Sequence, residues 1–265
     1  MKLSGYIDGI GVLGPGLNSW AHTVEVLCGK QPYHSVPTVL PVPAMLPPAE
    51  RRRTGRVVKL ALGVALEATG SAGADPAQLP SVFSSSGSDG HICHEICQAL
   101  ALPAREVSPT RFSNSVHNVA AGYWSIATGS MTESNVLCAF DASFVAGLLD
   151  AMTQIIVDRR AVLLVAYDTE YPPPLHAKRP IPDGLGVAMV LTPERTPRSI
   201  ARIEVELTSD VADKMPEPEL EAMRIAIPAG RSLPLLRLLA SRIQGCAILD
   251  YLDVSRAAVR VEPCT

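Results

Sequence analysis

The sequence has no histidine beyond position 176; its six stand at 22, 34, 91, 94, 117 and 176. Any reaction that takes a histidine from the C-terminal third is therefore excluded. The cysteines, at 28, 93, 97, 138, 246 and 264, are too few and too unevenly spaced for a disulfide framework in 265 residues. They read as reduced thiols. No uninterrupted apolar run reaches the ~18 residues of a membrane helix. The opening MKLSGYIDGIGVLGPG lacks both a sustained apolar stretch and a small-residue cleavage site, so it reads as a first strand rather than a leader. A formal net charge of −3 gives no bias toward nucleic acid or a membrane surface. The expectation is a cytoplasmic protein that binds neither.

What is present is a large apolar fraction, 47%, and 23 prolines, with clusters at 32–48, 172–182 and 193–197. The proline clusters mark loops between elements. KLSGYIDGIGVLG reads as a strand, and NSWAHTVEVLCG as a helix with Asn18 as its cap. Val57, Leu60, Ala61, Val64, Ala65 and Ala68 fall at helical spacing and predict a helix that packs on a sheet. A short strand at 79–84 runs into the Ser/Gly turn 84–90, then a helix follows over 89–100. Segments 114–129 and 142–157 read as helices and 133–140 as a strand. RAVLLVAYD is apolar throughout, as expected of a central parallel strand covered on both faces. GLGVAMVLTP and SIARIEVELT read as two strands in a hairpin; SLPLLRLLASRIQ is a helix and AAVRVEP a last strand. The alternation predicts an α/β fold with a mostly parallel sheet and helices on both faces.

Several clusters invite a chemical reading. His91, Cys93, His94 and Cys97 are metal-ligand types, but their spacing matches no zinc motif and no second cluster completes a ligand set. Cys93 and Cys97 read as buried small hydrophobes on a helix face, with no metal. The turn 84–90 lacks both the lysine and the spacing of a phosphate loop, and reads as structural. Arg51, Arg52, Arg53 and Arg56 crowd a helix start, where positive charge is disfavoured. An acidic partner would relieve that cost. In SVHNVAAGYWSIATGS, Asn114 or Ser115 can cap the helix, and Ala120, Ala121 and Gly122 permit close approach of a neighbour. His117 reads as a base, a capping donor or a hydrogen-bonded residue. In NVLCAFDASFVAGLLDA, a strand meets a helix at a tight turn, where enzymes often place a nucleophile. Cys138 reads as buried in the strand and Ser143 as an N-cap-region residue, which leaves Asp141 at the turn.

With these segments in view, the chain resembles the N-terminal part of β-ketoacyl synthases of the thiolase fold over residues 1 to about 195. The resemblance rests on GIGVLGPGLNSW, RVVKLALGVALEA, SVHNVAAGYWSIATGS and the FDAS turn. More narrowly, it is similar to the short chain-length factors of bacterial aryl polyene and xanthomonadin-type pigment clusters. The resemblance implies a truncated thiolase-like fold: a ketosynthase-like unit over 1–195 with a reduced set of strands and a helix, 196–265, packed on it. It puts Asp141 where an active family member has its acyl-accepting cysteine. A carboxylate is a poor acceptor for a thioester acyl group, and the two C-terminal histidines of a decarboxylating ketosynthase are missing. The implied role is a non-catalytic partner, without cofactor or metal, that heterodimerises with a catalytic β-ketoacyl synthase and shapes its acyl tunnel. Segment 107–131 would supply the interface, through Phe112, Asn114, Ser115, His117, Asn118, Tyr123 and Trp124. The patch Arg51, Arg52, Arg53 and Arg56 would face an acyl carrier protein, and Asp141 would cap the following helix. The competing expectation is an acyl-thioester hydrolase that pairs Asp141 with His117.

Overall fold

Eight strands form one sheet in the computed structural model, which describes residues 2–264. In chain order they are β1 (Lys2–Leu13), β2 (Ser81–Ser84), β3 (Ser134–Leu137), β4 (Val162–Asp168), β5 (Leu185–Thr192), β6 (Ala201–Thr208), β7 (Gly245–Asp250) and β8 (Arg256–Pro263). The helices are α1 (Trp20–Leu27), α2 (Pro48–Arg51), α3 (Arg56–Ala72), α4 (Gly90–Ala101), α5 (Pro109–Asn114), α6 (Val119–Thr128), α7 (Ser143–Val157), α8 (Pro218–Ala226) and α9 (Leu233–Ser241). The spatial order of strands is β3-β2-β4-β5-β1-β6-β8-β7.

The α/β class and the placement of helices on both faces agree with the sequence. The strand directions require a correction. Only β3-β2 and β2-β4 are parallel; the other five pairings are antiparallel. The apolar run of β4 does mark a strand buried on both faces, but it is parallel to β2 and antiparallel to β5. Burial of both faces, not strand direction, makes a strand uniformly apolar. Nor do β5 and β6 form a hairpin. Both pair with β1, on its two sides, so the 193–200 connection crosses the middle of β1, beside Tyr6 and Ile7. The hydrogen bonds from β6 to β1 also carry the sheet without a break across the 195/196 position.

Alternation along β4 and β5 divides two cores. Val162, Leu164, Ala166, Val187, Met189 and Leu191 face one side, with Phe144, Leu148, Met152 and Ile155 of α7. Leu163, Val165, Tyr167, Ala188 and Val190 face the other, with Leu60, Val64 and Ala68 of α3 and Trp124 of α6. The stretch from Phe140 to Val157 is long and apolar enough to cross a membrane by length and composition, but half of it is buried within the molecule. Two helix caps differ from the sequence reading by a few residues. Ser19, not Asn18, caps α1 by accepting from the His22 amide. Segment 114–129 is divided, with α5 ending at Asn114 and α6 beginning at Val119.

Glycines let α3 lie directly on β1. A Cβ at Gly11 would sit 2.1 Å from the Val64 carbonyl oxygen, and one at Gly9 would sit 2.2 Å from that of Ala68. Backbone cannot move aside as a flexible side chain can. Gly11→Ala is therefore expected to cost about 2 kcal/mol or more of unfolding free energy, measurable by urea denaturation. An unchanged midpoint would show that α3 is not seated as described.

Candidate functional site

The strand-to-helix elbow lies at the C-terminal end of β3. Cys138 and Ala139 follow the strand, Phe140–Ala142 makes one tight turn, and α7 begins at Ser143. Phe140 sits at φ +51°, a conformation uncommon for a bulky residue. The turn is closed by Ser143, whose Oγ donates to the Phe140 carbonyl (2.7 Å) and accepts from the Ala139 amide (3.1 Å). Ser143 is buried and occupied by these bonds, so it holds the turn rather than acting on a ligand.

Asp141 does not cap α7, which has no side-chain cap. Its carboxylate lies between two guanidiniums instead, with Oδ1 2.6 Å from Arg179 Nη2 and Oδ2 3.3 Å from Arg231 Nη2. Two cations outweigh the weak attraction of a helix end, so the capping expectation fails on electrostatic grounds. Arg179 also lies over the exposed Phe140 ring, 3.8 Å from its centroid. Arg231 reaches on to Asp250 (3.2 Å), which also pairs with Arg224 (2.5 Å) and Arg256 (3.4 Å). Arg224 is forked against Glu221, at 2.7 Å through both Nε and Nη2. The network thus ties the elbow to α8, the 228–232 turn and β7. Asp141, Arg231, Asp250 and Arg256 line an open cavity of about 530 Å³ beside Phe140.

Behind the elbow, Asp168 ends β4 as a buried carboxylate. It accepts from the Ser86 amide (2.8 Å), the Ser86 hydroxyl (2.5 Å) and the Ala229 amide (2.9 Å). Burial raises its pKa from the ordinary 3.8 to about 6, outweighing those donors and Arg179, which all favour the anion. Asp168 joins the Ser/Gly turn to the 228–232 turn and so supports both sides of the elbow.

The remaining candidates separate. His117 lies 3.2 Å from Ser85 Oγ and 3.3 Å from the Ser85 carbonyl oxygen through Nε2. It makes no hydrogen bond or ion pair with Asp141 among the described residues, so the hydrolase pair is not assembled. Asn114 is not a cap either: it is buried, and its Nδ2 donates to the Arg53 carbonyl (2.7 Å). The Ser115 hydroxyl donates to the Phe112 carbonyl (2.8 Å). Tyr123 and Trp124, expected as contact area for a partner, are only 7% and 1% exposed. Their rings fill the α3–α6 core, which needs them more than any external surface does. The outward face of this segment carries Phe112 (66% exposed), Val116, Asn118 and Ile126 instead.

The cysteine readings also change. Cys138 lies just beyond β3 and is exposed, with its thiol donating to the Ser86 carbonyl (3.3 Å). Cys93 and Cys97 are exposed too, because α4 turns little of itself toward the sheet. No cluster of three metal-ligating groups occurs among the described residues. In the arginine patch, Arg51 donates to the Ala44 and Leu46 carbonyls, Arg53 pairs with Glu50, and Arg56 pairs with Glu170. Arg52 is exposed. Much of the expected positive face is neutralised within the chain.

Arg179, Arg231, Asp250, Asp168 and Phe140 escaped the sequence reading. The four charged residues meet across long sequence separations, and no local pattern marks them. A bulky residue forced to positive φ in a strand-to-helix turn has no sequence signature either.

The elbow of this α/β fold carries a salt-bridged carboxylate at its tip. A β-ketoacyl synthase N-terminal domain model matches residues 26–242, and the chain belongs to that family. Its fold is similar to a chain from the complex of the ketosynthase ApeO with its chain length factor ApeC from Xenorhabdus doucetiae. The TM-score is 0.73 at 22% identity, covering 97% of this chain and 99% of that one. A chain of the ishigamide ketosynthase/chain length factor aligns with a TM-score of 0.75 at 14% identity, covering 99% of this chain and 100% of that one. A chain from the AntDE:AntF complex, a type II acyl carrier protein with its ketosynthase, aligns equally well at 12% identity, covering 100% of each. No curated protein matches the sequence at a significant level.

Two outcomes test the site. Asp168 binds its proton more tightly in the folded chain than in the unfolded one. Its contribution to stability is therefore fully present below about pH 4 and lost as pH rises through about 6. The stability of the wild type relative to Asp168→Asn should fall by about 2 kcal/mol between pH 4 and 7, read from paired urea titrations. A pH-independent difference would refute the assignment. Asp141→Cys should place a thiol between Arg179 and Arg231 and lower its pKa below the ~8.5 of free cysteine. The pH dependence of its alkylation, followed on the isolated peptide by mass spectrometry, should show a midpoint about one unit lower. A midpoint at or above 8.5 would mean that the guanidiniums do not hold the position.

Proposed function

We propose that the chain is a non-catalytic partner of a catalytic β-ketoacyl synthase, a chain-length factor that heterodimerises with it and borders its acyl tunnel in pigment-type polyketide biosynthesis. The observation that carries this reading is Asp141 held by two arginines at the position where the resemblance places the acyl acceptor. A carboxylate so paired is neither a thiolate nor an available base.

The surface supports an association role. β3 stands at the edge of the sheet with one side of its backbone unpaired. Exposed apolar side chains flank it: Met131 (96%) before the strand, Phe140 (61%) after it, and Ile126 on α6. An open edge within an apolar surround fits the addition of a partner strand and the burial of those side chains. The neighbouring folds come from complexes of a ketosynthase with a chain length factor, which agrees with such a partner. An acyl carrier protein is the second partner in this reading. With Arg51, Arg53 and Arg56 engaged internally, Arg52 is the member of that patch best placed to meet it.

Co-expression with the cognate ketosynthase should give one co-eluting species on size exclusion. The paired change Ile126→Asp with Met131→Asp should abolish co-elution while the far-ultraviolet circular dichroism of the chain stays the same. If the wild-type chains elute separately, and the ketosynthase alone makes the same product, the reading is wrong.

A further inference from the structure

The proline-rich segment before α2 lies against α3 and leaves an open apolar trough of about 430 Å³ beside it. The floor is one face of α3. Lys59, Leu62, Gly63, Leu66 and Glu67 recur at the three- and four-residue spacing that sets side chains in a row. From Lys59 to Glu67 that row is about 12 Å long. Val39, Pro41, Val42 and Pro43 form the facing wall, and Val12 and Leu13 at the end of β1 border it. Gly63 lets the two walls meet: a Cβ there would come within 2.7 Å of Pro41 Cγ. The proline-rich wall is pinned on both sides of the trough. The Thr38 amide donates to Asp183 (2.8 Å) and its hydroxyl to the Gly184 carbonyl (2.7 Å). At the other end Leu46 is buried, and Arg51 donates to the Ala44 and Leu46 carbonyls. Pro41 and Pro43 restrict the backbone between these anchors. The trough is thus preformed, and its volume suits a small ligand rather than a folded segment.

Its two ionisable side chains, Lys59 and Glu67, stand at opposite ends of the floor. Both Glu67 oxygens are occupied: Oε2 accepts from the Val12 amide (2.9 Å) and Oε1 from the Trp20 amide (2.6 Å). The Lys59 side chain makes no hydrogen bond or ion pair among the described residues. Between the two ends the surface is apolar, and on the facing wall Val39 and Val42 are 76% and 69% exposed. An unpaired cation at one end of an apolar trough gives it a direction. A negative head meets Lys59, and an apolar tail along Leu62 and Leu66 covers the two valines and removes them from water. The trough lies on the α3 face of the sheet, opposite α7, and it shares no lining residue with the elbow cavity.

We infer that this trough binds a small amphiphile of the medium-chain carboxylate class, separately from the elbow and independently of any ketosynthase partner. Lys59 holds the carboxylate, and α3 and the proline-rich wall enclose the chain. Titration of the full chain with octanoate, followed by the amide chemical shifts of isotope-labelled protein, tests it, with octanol as the uncharged comparison. Saturable shifts are expected along α3 and residues 38–46, with octanoate bound about tenfold more tightly than octanol. Lys59→Ala should weaken octanoate about tenfold and leave octanol unchanged, so that the two ligands bind alike. Lys59→Arg, which keeps the charge, should retain the preference for octanoate. Val42→Asp, on the exposed wall, should weaken both ligands, whereas Val211→Asp, at an exposed position outside the trough, should weaken neither. No saturable octanoate binding, or equal octanoate affinity in wild type and Lys59→Ala, overturns the inference.

Discussion

The pairing of Asp141 with Arg179 and Arg231 is the interaction on which the rest of the functional region depends. It makes the residue at the tip of the elbow a link between elements. Through Arg231 the link passes to Asp250 and on to Arg224 and Glu221. A segment expected to present a reactive group is thereby joined to the strands and helices of the last seventy or so residues. The two arginines around Asp141 are largely shielded from water. Removal of the carboxylate would leave guanidiniums facing each other with part of their hydration already given up. The network fixes geometry more than it adds stability.

Asp168 complements this from behind. Its three donors come from two separate turns, so one buried carboxylate sets the spacing between them. Asp8 does the same at the other end of the sheet with three hydroxyls. In both places a buried acid is satisfied by neutral donors that belong to loops, and the loop inherits the rigidity of the strand that carries the acid.

Much of this fold was legible in the sequence because burial leaves a local record. The uniform apolarity of β4 and β5, and the spacing of Val57, Leu60, Val64 and Ala68, follow from which faces are covered. Strand direction and partner choice leave no such record, so a β5–β6 hairpin and a mostly parallel sheet are what succession alone suggests. Tyr123 and Trp124 show a related limit. A large ring on a helix with small residues reads equally well as core or as interface, and only the position of α3 decides. At the elbow, the turn and Asp141 were found, but the role of Asp141 depends on Arg179 and Arg231, which no local pattern connects to it. Charge interrupts the apolar residues of α8, and the apolar run of β7, from Cys246 to Leu249, is too short to mark a strand by itself.

β3 contains four residues, far shorter than β1 at the centre of the sheet. Backbone pairing is blind to sequence, and an edge this short offers an incoming strand only a few hydrogen bonds. A stray strand that docks there gains too little to stay. Residence must then come from side chains that fit Met131, Ile126 and Phe140. For the partner proposed above, selectivity at this edge would then lie in the dissociation rate, set by how well its apolar surface matches these side chains.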